Sequence, residues 1–254
     1  MAATHPDLAG AAVVIPSLDP PLQLVQYVEA LTASGFGSVI VVDDGSRQQC
    51  SPIFDDIRTL PNVVVIAHAE NLGKGAALKT AFRSIQDTNG SASVVVTADA
   101  DGQHEVADVV QVALRAMLAS ESATAVVFGV RSLAGRSVPW KSRLGNHVSR
   151  VLVKWQSGRS IVDTQTGLRA YPAGVLRQLI ITRGNRFDYE MHVLCALLRL
   201  RIPLVELPIE TIYLDSKNST THFRPLVDSA AVFLVTFRQV LKGLTTPRPR
   251  EVRW

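Results

Sequence analysis

The chain has 254 residues and a net charge of +4, from 26 Lys and Arg against 22 Asp and Glu. Hydrophobic residues make up 47% of the sequence, which excludes global disorder and supplies a sizeable core. The two cysteines exclude a disulfide scaffold and a Cys-rich zinc module.

The first half of the chain alternates strand-like and helix-like segments. The predicted strands are apolar throughout rather than in alternation, so both of their faces should be buried, as in a parallel sheet covered by helices. We therefore predict an α/β fold. Apolar runs predict strands at 11–15, 39–42, 63–66, 94–96 and 125–130, and helical spacing predicts helices at 22–31, 76–85 and 106–118.

The second half is less regular. Helices are predicted at 138–154, 186–200 and 226–241, a strand at 167–171, and an extended segment at 204–213. Pro203 and Pro208 favour an edge position for that last segment, because proline cannot donate a ladder hydrogen bond. We expect one domain over residues 1–225, followed by a C-terminal helix and basic tail over residues 226–254.

No segment reaches the roughly 18 uninterrupted apolar residues of a membrane span, and residues 1–8 lack the features of a secretory signal. We therefore expect a cytoplasmic protein. The excess of basic residues permits anionic partners, namely nucleotides, phospholipid surfaces or nucleic acid.

The segment from Asp99 to His104 follows the fourth predicted strand. Residues two apart in an extended chain point to one side, so Asp99, Asp101 and Gln103 can converge. Two carboxylates and an amide oxygen suit Mg²⁺ or Mn²⁺, which take further oxygens from a substrate phosphate. The alternative is a strand end whose solvated acids cap the next helix.

Two other loops follow strand ends. Asp43 and Asp44 could accept hydrogen bonds from a nucleobase or a ribose, although Asp and Gly are also ordinary turn formers. The segment Asn71-Leu72-Gly73-Lys74-Gly75 opens a helix, and a helix N-terminus attracts phosphate. A turn that simply needs glycine is the alternative for this second loop.

These segments occur together in one order, from Val14-Ile15-Pro16 through the Asp43, Asn71 and Asp99 segments. The ordered set resembles the inverting family 2 glycosyltransferases of the GT-A fold. It is most similar to the dolichyl-phosphate mannose synthases and the bacterial polyprenyl-phosphate glycosyltransferases. The second half is similar as well, at Gly129-Val130-Arg131, Asp163-Thr164-Gln165-Thr166-Gly167-Leu168-Arg169, Phe187-Asp188-Tyr189-Glu190 and Leu207-Pro208-Ile209.

The resemblance implies a GT-A fold, the nucleotide-diphospho-sugar transferase fold, with a mostly parallel central sheet flanked by helices. It implies a Mg²⁺ or Mn²⁺ ion held by Asp99, Asp101 and Gln103. Residues expected to bind the nucleotide sugar are Pro16, Ser17, Asp19, Asp43, Asp44, Lys74, Asp99 and Lys217. Residues expected to act in catalysis are Asp101, Arg131, Arg143 and Glu190.

The chain departs from the family pattern after its first strand. The family often has P-x-Y-N-E there, whereas Leu18 stands in the aromatic position and Pro20 in the acidic one. The contact with the base is therefore left open. Later in the chain, Lys217 and His222 are the candidates for the basic residues that the synthases carry near the phosphates.

A stretch of the chain with only basic charged residues bears on the nature of the sugar acceptor. Such stretches concentrate anions, and a lipid phosphate acceptor is already ionised and needs no general base. A hydroxyl acceptor would need one, with Asp188 or Glu190 as candidates; a solvated helix face is the other interpretation. Between Arg131 and Val162 there are seven basic residues and no acidic one, namely Arg131, Arg136, Lys141, Arg143, Arg150, Lys154 and Arg159.

The sequence thus predicts a metal-assisted, inverting hexosyltransferase that uses a UDP- or GDP-linked donor and a polyprenyl phosphate acceptor at the cytoplasmic membrane face. Transfer to a saccharide or small-molecule hydroxyl, and a non-catalytic nucleotide-binding module, remain alternatives. Two interpretations remain open for Trp140, Trp155, Trp254 and the 226–241 helix. They could contact a membrane surface, or the tryptophans could pack in the core and the helix could dock on the domain. A separate membrane-protein partner is left open, and nucleic acid is not expected.

Overall fold

Seven strands form one sheet in the computed structural model, which describes residues 7–88, 92–122, 125–131, 150, 154 and 161–209. Its order is β3-β2-β1-β4-β6-β5-β7. The strands are β1 (Ala11–Ser17), β2 (Ser38–Asp43), β3 (Val63–Ala67), β4 (Val94–Thr97), β5 (Val126–Arg131), β6 (Arg169–Pro172) and β7 (Leu204–Ile209).

The sheet is mostly parallel, which confirms the predicted fold class. β1 pairs in parallel with β2 and β4, β2 with β3, and β5 with β7. β6 is the exception, because it runs antiparallel to both β4 and β5. β7 lies at the edge of the sheet, as the prolines around it predict.

Six helices flank the sheet in the described part of the chain. The structure adds α2 and α5 to the predicted helices; α2 is short and carries Pro52 in its first turn, where a missing N–H costs no hydrogen bond. The helices are α1 (Gln23–Ala33), α2 (Ser51–Arg58), α3 (Lys74–Asp87), α4 (Val106–Ser122), α5 (Leu176–Ile181) and α6 (Asp188–Arg199).

Two apolar cores lie on opposite faces of the sheet. Alternate residues of β1 feed them, since Val14 packs with α3, α5 and α6 whereas Val13 packs with α1, α2 and α4. All seven residues of β1 are buried. A strand covered on both faces has no solvated side, which is why its sequence does not alternate.

The parallel strands β2, β1 and β4 are neighbours, so their carboxyl ends meet at one edge of the sheet. Ser17 lies in register with Asp43 at that edge, and Asp99 follows β4 there. The fold therefore gathers the predicted site residues of the first half into one place, where open α/β sheets bind ligands.

Several predictions lie outside the described residues. They are the 226–241 helix, the tail, residues 210–213 of the extended segment, and the 138–154 helix apart from Arg150 and Lys154. The boundary at residue 225 falls there too, and stays a prediction. None of the helices within the described ranges is long and apolar enough to cross a bilayer.

Candidate active site

The ammonium group of Lys74 joins two carboxylates at the centre of the site. Lys74 Nζ lies 2.7 Å from Asp99 Oδ1 and 2.9 Å from Glu190 Oε1. The three side chains come from the start of α3, the end of β4 and the first turn of α6, and each is mostly buried. Two charge-assisted contacts therefore fix this lysine between the two halves of the domain.

Electrostatics keep Asp99 ionised. Burial raises the pKa of this carboxyl, but Lys74 and His104 outweigh burial and hold the pKa well below its usual range. For Lys74, burial lowers the pKa, but Asp99 and Glu190 together raise it above its ordinary value. The backbone of Gly167 lies directly against Asp99, because a Cβ there would stand 2.4 Å from Asp99 Oδ2.

Asp101 has a different environment from Asp99. Burial and the charge of Asp99 raise the pKa of Asp101, while the Gln103 N–H donates to its Oδ1 at 3.1 Å and acts in the opposite direction. Its charge is thus opposed by a neighbouring carboxylate, and a cation would relieve that repulsion.

The oxygen donors at this turn are of the kind that a divalent cation prefers, although Asp99 has one oxygen fewer to offer. Within the described ranges, no group of three or more His, Cys, Asp or Glu residues could hold a metal ion. Asp101 and the half-buried Gln103 provide hard oxygen donors, whereas Asp99 Oδ1 is occupied by Lys74. A Mg²⁺ or Mn²⁺ ion here would need phosphate oxygens of a substrate to complete its shell.

Buried polar groups near the acids lack hydrogen-bond partners. Ser17 Oγ, Tyr27 Oη and His104 Nδ1 make no hydrogen bond within the described part of the chain. His104 Nε2 lies 3.4 Å from Asp99 Oδ2, and Asp99 and Asp101 contribute, after burial, to a raised pKa of Tyr27. Buried donors without partners are uncommon in folded proteins, so these groups are candidates for ligand contacts.

Asp44 has an internal role. Its Oδ1 accepts from the Leu72 N–H at 3.0 Å, and its Oδ2 accepts from the Gly73 N–H at 2.8 Å. The His68 ring adds a contact at 2.7 Å, and only 3% of Asp44 is exposed. The structure therefore shows Asp44 holding a loop, and a contact of Asp44 or its neighbour with the base stays a prediction.

That neighbour is Asp43, which is only partly buried. The Ser46 N–H donates to its Oδ1 at 2.8 Å. Asp43 stands at the same sheet edge as Pro16 and Ser17. A nucleotide contact by these three residues stays a prediction.

Asp19 clamps two loops of this edge together. It accepts from the Arg47 backbone N–H at 2.8 Å and from Arg47 Nε at 2.9 Å. Its own N–H donates to Ser46 Oγ, and its φ of 46° lies in the left-handed region that Asp tolerates better than most residues. Asp19 thus links the loop after β1 to the loop after β2.

The start of α3 uses its amide groups internally. Besides the Leu72 and Gly73 amides held by Asp44, the Ala76 N–H donates to Asn185 O at 3.0 Å. The Leu72, Gly73 and Ala76 amides are therefore engaged within the protein, and a phosphate contact at this helix start stays a prediction. The Lys74 ammonium is the charged group there.

Arg131 ends β5 and pairs with a fully buried acid. Its Nε and Nη2 donate to the two oxygens of Asp163 at 2.7 and 3.3 Å. This bidentate pair fixes the plane of the guanidinium. About a quarter of the Arg131 side chain is exposed. Arg131 is thus positioned near the sheet edge, and its contact with phosphate stays a prediction. Arg143 and Lys217 lie outside the described residues.

Comparison with known proteins identifies the family of this chain. The sequence model described as Glycosyl transferase family 2 matches residues 12–179, more than half of the chain. The chain belongs to glycosyl transferase family 2. The match includes Lys74, the Asp99 turn and Arg169, whereas Glu190 lies beyond its end.

Two relatives of this family 2 glycosyltransferase have names that include a dolichyl-phosphate acceptor. The UDP-N-acetylglucosamine–dolichyl-phosphate N-acetylglucosaminyltransferase of Methanococcus voltae is 24% identical, over 80% of this chain and 85% of the relative. A dolichyl-phosphate beta-glucosyltransferase of Trichomonas vaginalis is 24% identical, over 79% of this chain and 62% of the relative.

A solved structure supports the GT-A fold. Glucosyl-3-phosphoglycerate synthase from Mycobacterium tuberculosis, in complex with Mn²⁺, UDP and glucosyl-3-phosphoglycerate, superposes with a TM-score of 0.65. The superposition covers 93% of this chain and 80% of the synthase, at 17% identity. The resemblance to the family and the GT-A fold that it implied are both confirmed.

Sequence reasoning missed the role of one further residue of this glycosyltransferase. Arg169 is fully buried and donates to the backbone oxygens of Thr166, Glu190 and Thr164 at 2.8, 2.9 and 3.2 Å. Its guanidinium also stacks 4.5 Å from the centre of the Phe128 ring. Arg169 joins the loop that carries Gly167 to the helix that carries Glu190. Its presence in the matched segment was the available signal.

Proposed function

We propose that this family 2 glycosyltransferase transfers a hexose from a UDP- or GDP-linked donor to a polyprenyl phosphate, with inversion and with a divalent cation. One observation carries the proposal. Lys74, Asp99 and Asp101 form a buried, charged group at the carboxyl edge of a GT-A sheet. That group offers an ammonium to a sugar-linked diphosphate and carboxylate oxygens to the divalent cation that would bind it.

The donor end of the site must stabilise a leaving nucleoside diphosphate. A bound Mg²⁺ or Mn²⁺, held by Asp101 and Gln103, would act as a Lewis acid on the diphosphate. Lys74 supplies a fixed positive charge beside it, and Asp99 and Glu190 keep that lysine protonated. The Mycobacterium tuberculosis synthase of the same fold was crystallised with Mn²⁺ and UDP, which supports this donor chemistry.

The acceptor assignment rests on charge and on the relatives. A phosphate monoester is ionised at neutral pH, so it can attack without a general base. Glu190 Oε1 already contacts the Lys74 ammonium, so this oxygen is engaged within the protein. The names of the Methanococcus voltae and Trichomonas vaginalis relatives include dolichyl phosphate, and this favours a lipid phosphate over a hydroxyl.

The test is a donor screen with polyprenyl phosphate, Mn²⁺ or Mg²⁺, and a panel of labelled nucleotide sugars. We expect one donor to give a glycosyl lipid whose anomeric configuration is opposite to that of the donor. Asp101→Ala should abolish transfer, and Asp87→Ala, an exposed carboxylate at the end of α3, should not. The proposal fails if no donor is consumed, or if Asp101→Ala transfers as well as the unchanged protein.

A hydroxyl acceptor is the second candidate, since a solved structure of the same fold contains glucosyl-3-phosphoglycerate. Glu190 or Asp188 would then serve as the base. Glu190→Gln should reduce the rate by about 100-fold or more under that hypothesis, in the range of a lost general base. Under the lipid-phosphate proposal it should act through the Lys74 contact, raising KM for the donor more than it lowers kcat.

A place at the cytoplasmic membrane face is part of the same proposal, because the acceptor is a lipid. Sedimentation with vesicles containing polyprenyl phosphate, compared with vesicles lacking it, measures this association. A protein that sediments with neither kind of vesicle would contradict a place at the membrane face.

A further inference from the structure

His68 is a histidine with only 9% of its side chain exposed, and the proposed chemistry does not use it. Its Nδ1 lies 2.7 Å from Asp44 Oδ1, and its Nε2 lies 2.9 Å from Thr80 Oγ1. A carboxylate oxygen only accepts, so Nδ1 is the donor to Asp44. The Thr80 hydroxyl can donate or accept, and the second contact therefore holds in either charge state of the ring.

The histidine connects to the site through the loop before α3. Asp44 holds the Leu72 and Gly73 amides, which lie 28 and 29 residues further along the chain. Gly73 has φ of 101°, a conformation that only glycine adopts readily, and it turns the chain into α3. Lys74 comes next and reaches Asp99 and Glu190.

The loop has little room to adjust elsewhere. A Cβ on Gly45 would lie 2.3 Å from the carbonyl carbon of Glu70, so the loop packs directly on the chain after Asp44. On its other side, a Cβ on Gly73 would meet Asn185 O at 2.4 Å. A shift of Asp44 must therefore be passed on to the first turn of α3 rather than absorbed by a gap.

We propose that His68 is a positioning residue for the donor nucleotide, which acts by fixing Asp44 and thereby the loop from which Lys74 enters the site. This inference rests on the proposed function, because it takes Lys74 as a contact of the donor diphosphate. His68 touches no substrate in this scheme; it sets where the ammonium stands.

Two amide substitutions separate the contacts of the ring. His68→Asn keeps a donor at the Nδ1 position and so keeps the bond to Asp44. His68→Gln keeps a group near the Nε2 position and loses that bond. His68→Leu loses both. Phe36→Leu is the control, since Phe36 packs in the core on the opposite face of the sheet and its loss lowers stability without touching the loop.

The measurement is the dissociation constant of UDP and GDP with Mn²⁺, by calorimetry, together with unfolding in urea. His68→Leu should weaken nucleotide binding by about tenfold, the lower range for loss of a partner that orients a ligating group. His68→Gln should be nearly as weak, His68→Asn close to the unchanged protein, and Phe36→Leu unchanged in affinity although less stable. Hydrogen exchange of the Leu72 and Gly73 amides should rise in His68→Leu even without nucleotide.

The inference is overturned if His68→Leu binds nucleotide as tightly as the unchanged protein. It is also overturned if Phe36→Leu loses nucleotide affinity in proportion to its loss of stability. Nucleotide binding by His68→Asn that is as weak as binding by His68→Leu overturns it as well. If the unchanged protein binds neither nucleotide, the proposed function fails and the inference fails with it. Unchanged amide exchange in His68→Leu rejects the structural link by itself.

Discussion

Gly167→Ala tests whether the position of Asp99 matters. The added Cβ would lie 2.4 Å from Asp99 Oδ2, whereas ordinary contact begins near 3.4 Å, so the oxygen must retreat by about 1 Å. Asp99 cannot turn away easily, because Lys74 holds its other oxygen at 2.7 Å. The φ of Gly167 is not in the left-handed region, so alanine suits the backbone and the effect is steric.

A displacement of about 1 Å at a reacting site can reduce the rate by about 100-fold, which corresponds to about 2.7 kcal/mol of transition-state stabilisation. We expect a loss of this size in kcat/KM for the donor, measured by transfer of labelled sugar. Gly174→Ala is the matched control, since nothing lies within 4 Å of its Cβ position. Full activity in Gly167→Ala would refute the reasoning, because Asp99 and Lys74 would then be free to move without consequence.

Asp99→Asn and Asp101→Asn should have opposite effects on stability, as measured by urea unfolding between pH 2 and pH 8. The pKa of Asp99 is lowered in the fold, so its ionised form stabilises the native state above about pH 4. This contribution is lost as the pH falls further. At pH 7, Asp99→Asn should lower the free energy of unfolding by about 1.5–3 kcal/mol. The pKa of Asp101 is raised, so its charge opposes folding above its ordinary pKa, and Asp101→Asn should stabilise the metal-free protein at pH 7; equal signs for the two variants would contradict this electrostatic description. Arg169→Lys should lower the free energy of unfolding by about 3 kcal/mol or more, because a lysine cannot serve three backbone oxygens with a planar fork; a change below about 1 kcal/mol would assign those oxygens other partners.

The sequence contained enough to predict the sheet and its carboxyl edge. Val13 and Val14 show why, since a strand buried on both faces leaves a run of apolar residues that is easy to recognise. The antiparallel direction of β6 was not predicted, because apolar content carries no information on direction. α2 and α5 are short, with 8 and 6 residues, and give too few turns for helical spacing to be recognised.

The site was predicted by residue type better than by role. The place of Asp44 at a strand end predicts a nucleotide contact, which stays a prediction, but not its bonds to a loop that only the fold brings close. The same holds for Lys74 and Glu190, whose contact joins distant segments. Arg169 escaped notice because an arginine with no exposed surface is rare, and its partners are backbone oxygens that any sequence provides.

The bridge from Lys74 to Asp99 and Glu190 constrains how this enzyme could be recombined with its relatives. A chimaera that takes its first half from one transferase and its second half from another would inherit the ammonium and one carboxylate from one parent and the remaining carboxylate from the other. Such a hybrid keeps the bridge only if both parents carry an acid at the position of Glu190 and orient it from the same helix. Exchange of substrate preference by swapping segments should therefore succeed most readily when these three positions travel as a set.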